Sequence, residues 1–201
     1  MVIEQRHSAV SPKVLKFPRR KRAGVHSRLK AEPRPSDFGC DALLAELDRR
    51  GLPAFGVCLG LQAMVEHAGG ELALLAEPAH GKPGTVLRLF SPPAPGDGSA
   101  AALPSPGPDD GLLAGLPADF IAARYHSLHA VPGQVKGGFT VTAVTPDGAV
   151  MAIEDQAAAR WAVQFHPESI LSAAGGTGRQ VIANVLRLCR ASQRVPVDSP
   201  R

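Results

Sequence analysis

Pro53-Ala-Phe-Gly-Val-Cys58-Leu-Gly-Leu-Gln62 is the stretch on which the reading of this chain turns. Pro53 to Val57 is a short apolar run suited to a buried parallel strand. Directly after it Leu61, Met64, Val65 and Ala68 recur at helical spacing until Gly69-Gly70 ends the element. Cys58 stands at the junction, inside Gly56-Val-Cys58-Leu-Gly60. A side chain wedged between a strand and a helix sits on a tight turn, and small residues two positions to either side permit that turn. The helix start would favour the thiolate, the attacking form of cysteine, and such a site with a nearby imidazolium brings a thiol from ~8.5 to between roughly 3.5 and 7.5. The same turn also suits a buried structural cysteine, and at this point both readings stand.

Outward from this junction the pattern alternates. Upstream, Pro33-Arg-Pro35 breaks any helix, Ser36 or Asp37 is placed to cap the next one, and Leu43, Leu44 and Leu47 give an amphipathic helix to about Arg50, closed by Gly51. Downstream, short strands are expected at Leu72–Leu75 and Thr85–Phe90. From Ser91 to Ala118, 12 of 28 residues are Pro or Gly, which predicts a flexible loop outside the core. Strands are expected again at Phe120–Tyr125, Phe139–Val144, Val150–Glu154 and Trp161–Phe165, then a helix over Gln180–Cys189 and a frayed polar end at 191–201.

Composition removes whole classes. The 201 residues allow one ordinary domain with an extension, and 44% apolar with 20% charged residues is a globular composition. No run approaches the ~18 apolar residues of a membrane helix, and the first residues lack the apolar stretch of a secretory signal. Cys40, Cys58 and Cys189 are odd in number and far apart, unlike a disulfide framework or a zinc cluster, so neither metal nor cofactor is expected. The expected setting is cytoplasmic. The net charge of +4 hides a division: residues 1–30 carry nine Lys or Arg against one acid, whereas the remaining chain carries 13 basic and 17 acidic side chains. Residues 1–34 therefore read as a basic arm, solvated and disordered or unrelated to the domain. Nucleic-acid binding by the arm rests on charge alone, because no recognition motif accompanies it.

A second chemical signal closes the strand at Trp161–Phe165. His166-Pro-Glu168 offers a base that can take a proton from a thiol and return one to a leaving amine. A carboxylate two residues on can orient the ring and stabilise the imidazolium. A lone histidine at a strand end is ordinarily structural; a strand–Cys–helix junction in the same chain turns the reading toward function.

Phe55-Gly-Val-Cys58-Leu-Gly-Leu-Gln62, Tyr125-His-Ser-Leu128 and Val163-Gln-Phe-His166-Pro-Glu168-Ser169 together resemble a class I glutamine amidotransferase domain, from about Pro35 to Cys189. The closer likeness is to the glutaminase part of anthranilate synthases, with aminodeoxychorismate and phenazine-type synthases as near relatives. His80-Gly-Lys-Pro83 and Gly115-Leu-Pro-Ala-Asp-Phe120 fit the same subgroup. The resemblance implies an α/β fold: an open, mostly parallel sheet with helices on both faces, and the site at the carboxyl ends of the strands over residues 35–190. It implies that Cys58 attacks the amide of glutamine, that His166 serves as base and then acid, and that Glu168 orients it. It implies the Leu59 N–H as an oxyanion donor, Gln62 as a substrate contact, and Ser127 with Leu128 holding the amino-acid end. His126 is read as structural. Ammonia would pass to a chorismate-using synthase, most simply anthranilate synthase in tryptophan biosynthesis, supplied as another chain or as a fused half.

The resemblance is incomplete at the N-terminus. Relatives carry a strand, a helix, a second strand and a Ser-Pro-Gly-Pro-Gly loop ahead of Asp-Phe-Gly. Here Ser36-Asp-Phe-Gly39 is present, but Arg28-Leu-Lys-Ala-Glu-Pro-Arg-Pro35 precedes it. The expectation is an N-terminally truncated domain, through truncation or a shifted reading frame, with an exposed sheet edge and one oxyanion donor fewer. Such a loss typically costs ~10²–10³ in turnover. A competing reading is therefore an impaired fragment that serves only to bind a synthase.

Overall fold

The computed structural model describes residues 33–89 and 111–193. Six strands form one sheet in the order β1-β6-β5-β4-β2-β3, where β1 is Ala54–Val57, β2 Leu72–Arg88, β3 Asp119–Ala130, β4 Thr140–Val144, β5 Val150–Asp155 and β6 Arg160–Val163. Three α-helices accompany them: α1 (Cys40–Arg50), α2 (Leu59–His67) and α3 (Thr177–Ser192).

The sheet is buried on both faces at β5 and β6, and β6 shows why. Trp161 and Val163 point into a cluster containing Val181, Val185 and Leu188 of α3, whereas Ala162 between them joins a cluster with Leu44 of α1 and Leu61, Met64 and Val65 of α2. All four residues of β6 are buried, so this strand lacks the apolar–polar alternation of a half-exposed one. The expected α/β class with helices on both faces holds. The expected direction of the strands is corrected: β1 and β6 run parallel, while β6–β5, β5–β4, β4–β2 and β2–β3 are antiparallel. For the β4–β5 and β5–β6 pairs the cause is connection length. A parallel neighbour needs a crossover of roughly a dozen residues or more, and the turns at 145–149 and 156–159 are too short to supply one.

The Pro/Gly-rich expectation is corrected at its end. Residues 90–110 lie outside the described residues, but Leu112, Leu113 and Leu116 are buried in the α3-side cluster. Asn184 of α3 donates its amide to the carbonyls of Leu112 and Ala114, and the Leu112 N–H donates to Glu154. Three leucines in six residues outweigh the flanking Gly and Pro, because their burial against α3 exceeds the cost of an irregular backbone whose carbonyls are satisfied. The basic arm through residue 32 and the tail from 194 also fall outside the described residues.

Element bounds shift as well. The strands expected at 72–75 and 85–90 are one long strand, β2, carried past Pro78 and Gly81 by register shifts against β3. Gly39, in the left-handed region at φ 70°, is the residue that opens α1, and Asp37 accepts the Arg34 N–H instead of capping α1. The sheet curls so that β3, at the far end of the strand order from β1, returns to the segment after β6: the His166 N–H donates to the Ala123 carbonyl at 3.0 Å. Arg160, 4% exposed, ties the other end by pairing with Asp48 of α1.

Candidate active site

β1 and β6 lie in parallel register, with Val57 opposite Val163, so the two chains leave the sheet side by side. Cys58 follows β1 and caps α2; its N–H donates to the Val163 carbonyl at 2.8 Å, and its carbonyl accepts the Gln62 N–H. Its backbone sits at φ 51°, ψ −100°, one of two non-glycine residues with positive φ among the described residues. Such a conformation costs on the order of 1–3 kcal/mol and persists where its surroundings enforce it. Gly56 is what permits this turn. A Cβ there would meet the Gly60 carbonyl carbon at 2.6 Å, whereas a Cβ on Gly60 would meet nothing within 4 Å. Of the two glycines flanking the cysteine, only the first is required sterically.

His166 and Glu168 follow β6. The His166 Nδ1 lies 2.6 Å from Glu168 Oε1. An ionised carboxylate can only accept, so Nδ1 is the donor of this hydrogen bond. The His166 Nε2 is buried and has no hydrogen-bond partner among the described residues. Ser172 donates to the His166 carbonyl at 2.6 Å and accepts the Ala123 N–H, fixing the segment to β3. The Tyr125 ring meets the imidazole edge-on at 5.0 Å, and its hydroxyl lies 3.2 Å from Ser169 Oγ.

The sulfur is half-buried. Burial pushes the Cys58 thiol up from its ordinary value; the Leu59 N–H and the Gln164 amide pull against that, and the negative charge of Glu168 adds to the rise. The expected lowering by the helix start is therefore not the net outcome. With the thiol raised, attack by this sulfur would need a base to remove its proton.

Of the remaining sequence-predicted residues, Gln62 and Leu128 are joined to this point. Gln62 is 4% exposed and donates through Nε2 to the Leu128 carbonyl at 3.0 Å and to Gln164 Oε1 at 3.1 Å. Ser127 is half-buried on β3, and the Leu128 carbonyl also faces His126 Nδ1 at 2.8 Å. His126 is buried, and that burial pushes it down to about 4. Its ring is held by the Leu128 carbonyl at Nδ1 and by Arg124 at Nε2. Gln164 was not singled out from sequence. Its signal is a polar residue amid the apolar run Trp161–Phe165, where it is fully buried and donates to Cys58 Sγ at 3.4 Å.

The profile of the family "Glutamine amidotransferase class-I" matches residues 33–186. The chain belongs to the class I glutamine amidotransferases. Among similar curated proteins, this amidotransferase domain is 45% identical over 153 residues to "Anthranilate synthase" of Azospirillum brasilense, covering 76% of this chain and 18% of that protein. It is 39% identical over 155 residues to "Anthranilate synthase component 2" of Halobacterium salinarum, covering 76% of this chain and 65% of the relative. It is 37% identical over 153 residues to "Aminodeoxychorismate synthase" of Streptomyces griseus, covering 75% of this chain and 17% of that protein. The chain thus spans less than two thirds of the length of each of these relatives. In fold it resembles the crystal structure of a Thermoplasma acidophilum protein described as belonging to a GMP synthase, at TM-score 0.62 and 18% identity, covering 80% of this chain and 70% of that one. Among the described residues no group of three or more His, Cys, Asp or Glu is arranged to hold a metal ion, and no helix is long and apolar enough to cross a membrane.

Proposed function

We propose that this domain hydrolyses glutamine through Cys58, His166 and Glu168 and delivers the ammonia to a chorismate-using synthase of the anthranilate type. The observation that carries the reading is the histidine. Glu168 holds Nδ1, and the orphaned, buried Nε2 emerges from the strand beside the one that delivers Cys58. A base with one nitrogen oriented and the other unengaged is poised to take a proton.

In the proposed sequence the thiol proton passes to Nε2 as Sγ attacks the side-chain amide carbon of glutamine. The carbonyl becomes an oxyanion, and the Leu59 N–H, which faces the sulfur, would stabilise it. Collapse breaks the C–N bond, and the imidazolium returns its proton to the leaving nitrogen, releasing ammonia and leaving a glutamyl thioester. Water, deprotonated by the same nitrogen, then cleaves the thioester to glutamate. Both amide hydrogens of Gln62 are engaged by Leu128 and Gln164, so Gln62 would meet substrate through Oε1, while Ser127 and Leu128 would hold the amino-acid end.

The synthase assignment rests on the relatives named for anthranilate synthesis, which would place the domain in tryptophan biosynthesis. A relative named "Anthranilate synthase component 2, pyocyanine specific" at 38% identity and the aminodeoxychorismate synthase keep a second product class in view. The competing reading from the sequence is a domain that binds a synthase without turning over glutamine. Ammonia release from glutamine, measured for the wild-type chain, Cys58→Ser and His166→Ala with and without an added synthase component, separates these. Release abolished by both substitutions supports hydrolysis. Release unchanged by Cys58→Ser refutes the proposed nucleophile, and no release even with the synthase component present leaves only the binding role.

A further inference from the structure

A buried chain of amides ends on the candidate nucleophile, and its direction is set by chemistry at the opposite end. The Leu128 carbonyl can only accept, so the nitrogen of Gln62 must face it. The second hydrogen of that nitrogen then requires an acceptor, which turns Gln164 Oε1 toward Gln62 at 3.1 Å. Gln164 is left with its Nε2 toward Cys58 Sγ at 3.4 Å, within reach of a sulfur-accepting hydrogen bond. Neither amide can flip without leaving a buried carbonyl or two facing donors unsatisfied. Gln62 is 4% exposed and Gln164 fully buried, so water is not at hand to relieve a flip.

The geometry points to Gln164 as a further catalytic residue, an amide donor locked onto Cys58 Sγ by Gln62 and the Leu128 carbonyl so that it stabilises the thiolate as it forms. The inference rests on the reading of Cys58 as nucleophile and adds a partner to it. A thiol can donate or accept, but a thiolate only accepts, so a fixed N–H donor favours the anion over the neutral sulfur. The effect opposes the burial and the Glu168 charge that hold the proton on the sulfur. It also explains why a fully buried position after β6 tolerates a glutamine: both ends of its amide are engaged, by Gln62 and by Cys58 Sγ.

The test is the pH dependence of Cys58 alkylation by iodoacetamide in the full chain, read on the Cys58 peptide with Cys40 and Cys189 as internal references. Gln164→Met removes the donor at similar volume. Gln164→Glu keeps an acceptor for Gln62 but turns only oxygen toward the sulfur, so one of the two reports if the other fails to fold. The expected result is a midpoint displaced to higher pH and, below it, alkylation slowed roughly tenfold, with the high-pH plateau and the two reference cysteines unchanged. A folded variant with the wild-type midpoint overturns the inference. Wild-type chain that releases ammonia independently of Cys58 would instead defeat the underlying assignment of the nucleophile, and the alkylation profile distinguishes the two failures because it needs no glutamine.

Discussion

Gly56→Ala and Gly60→Ala are expected to behave in opposite ways, although the glycines flank the same cysteine. At Gly56 the new Cβ would lie 2.6 Å from the Gly60 carbonyl carbon, 2.9 Å from its oxygen and 3.0 Å from the Leu61 nitrogen. All three are backbone atoms at the start of α2, so no side chain can swing aside. The strand cannot retreat either, because Gly56 is paired with Ala162 and the Cys58 N–H is held by Val163. Restoring ordinary contact at 3.4 Å requires the start of α2, and with it Cys58 and Leu59, to move by about 0.8 Å. Forcing extra volume into such a site costs typically ~1–3 kcal/mol, and a displacement of ~1 Å in reacting groups costs about 10²-fold in rate. At Gly60 the space is open and the position lies inside a helix, where alanine exceeds glycine by up to ~1 kcal/mol. Urea midpoints and the rate at which Cys58 is labelled by an electrophilic glutamine analogue read both effects. Gly56→Ala should lose ~1–3 kcal/mol and about two orders of magnitude in labelling, while Gly60→Ala should keep or gain stability. Equal behaviour of the two alanines, or a Gly56→Ala chain as stable and reactive as wild type, would refute the steric argument.

Three more outcomes follow from the same contacts. Burial depresses His126 to about 4, and its Nε2 accepts from Arg124, so its contribution is complete above pH ~6.5 and lost as pH falls toward 4, on the order of 3 kcal/mol in all; the stability of His126→Gln should depend less on pH across that window in paired urea titrations. His67 at the end of α2 faces Asp41 at 2.6 Å and Asp48 at 2.9 Å, and Asp41 first, then Asp48, raise it above its ordinary value. Its stabilisation is full below pH ~6.5 and disappears as pH rises through the raised value. The partly exposed pair limits this to about 1 kcal/mol or less, and a double-mutant cycle of His67→Gln with Asp41→Asn at pH ~5.5 and ~9 should show coupling only at the lower pH. Leu112 is fully buried in the α3-side cluster, so Leu112→Ala should cost about 2–5 kcal/mol by urea titration, and a loss below about 0.5 kcal/mol would mean that this segment is peripheral.

Much of the site was legible because its chemistry is local. Cys58 declares itself by standing between an apolar strand and a helical repeat, and His166 and Glu168 by their spacing at a strand end. The two segments that carry them leave the sheet side by side through a single parallel pairing, Val57 with Val163. What the sequence concealed depends on contacts distant along the chain. The antiparallel course of β4, β5 and β6 is set by short turns whose partners no local pattern reveals. Leu112, Leu113 and Leu116 were obscured by the prolines and glycines around them, although three leucines in six residues are an apolar signal in their own right. Gln164 gains meaning only when Gln62, 102 residues away, and Leu128 surround it. The state of the Cys58 thiol could not be taken from the helix start alone, since burial and Glu168 oppose that influence.

The central claim is that Cys58 is the nucleophile of a glutamine-accepting site. Intact mass of the purified chain after exposure to an electrophilic glutamine analogue tests it most directly, with Cys58→Ser as control and the adduct mapped by peptide analysis. The account predicts a single adduct on Cys58, absent from Cys58→Ser and slowed by added glutamine. A folded chain that acquires no adduct, or acquires one equally on Cys40 or Cys189, would contradict it.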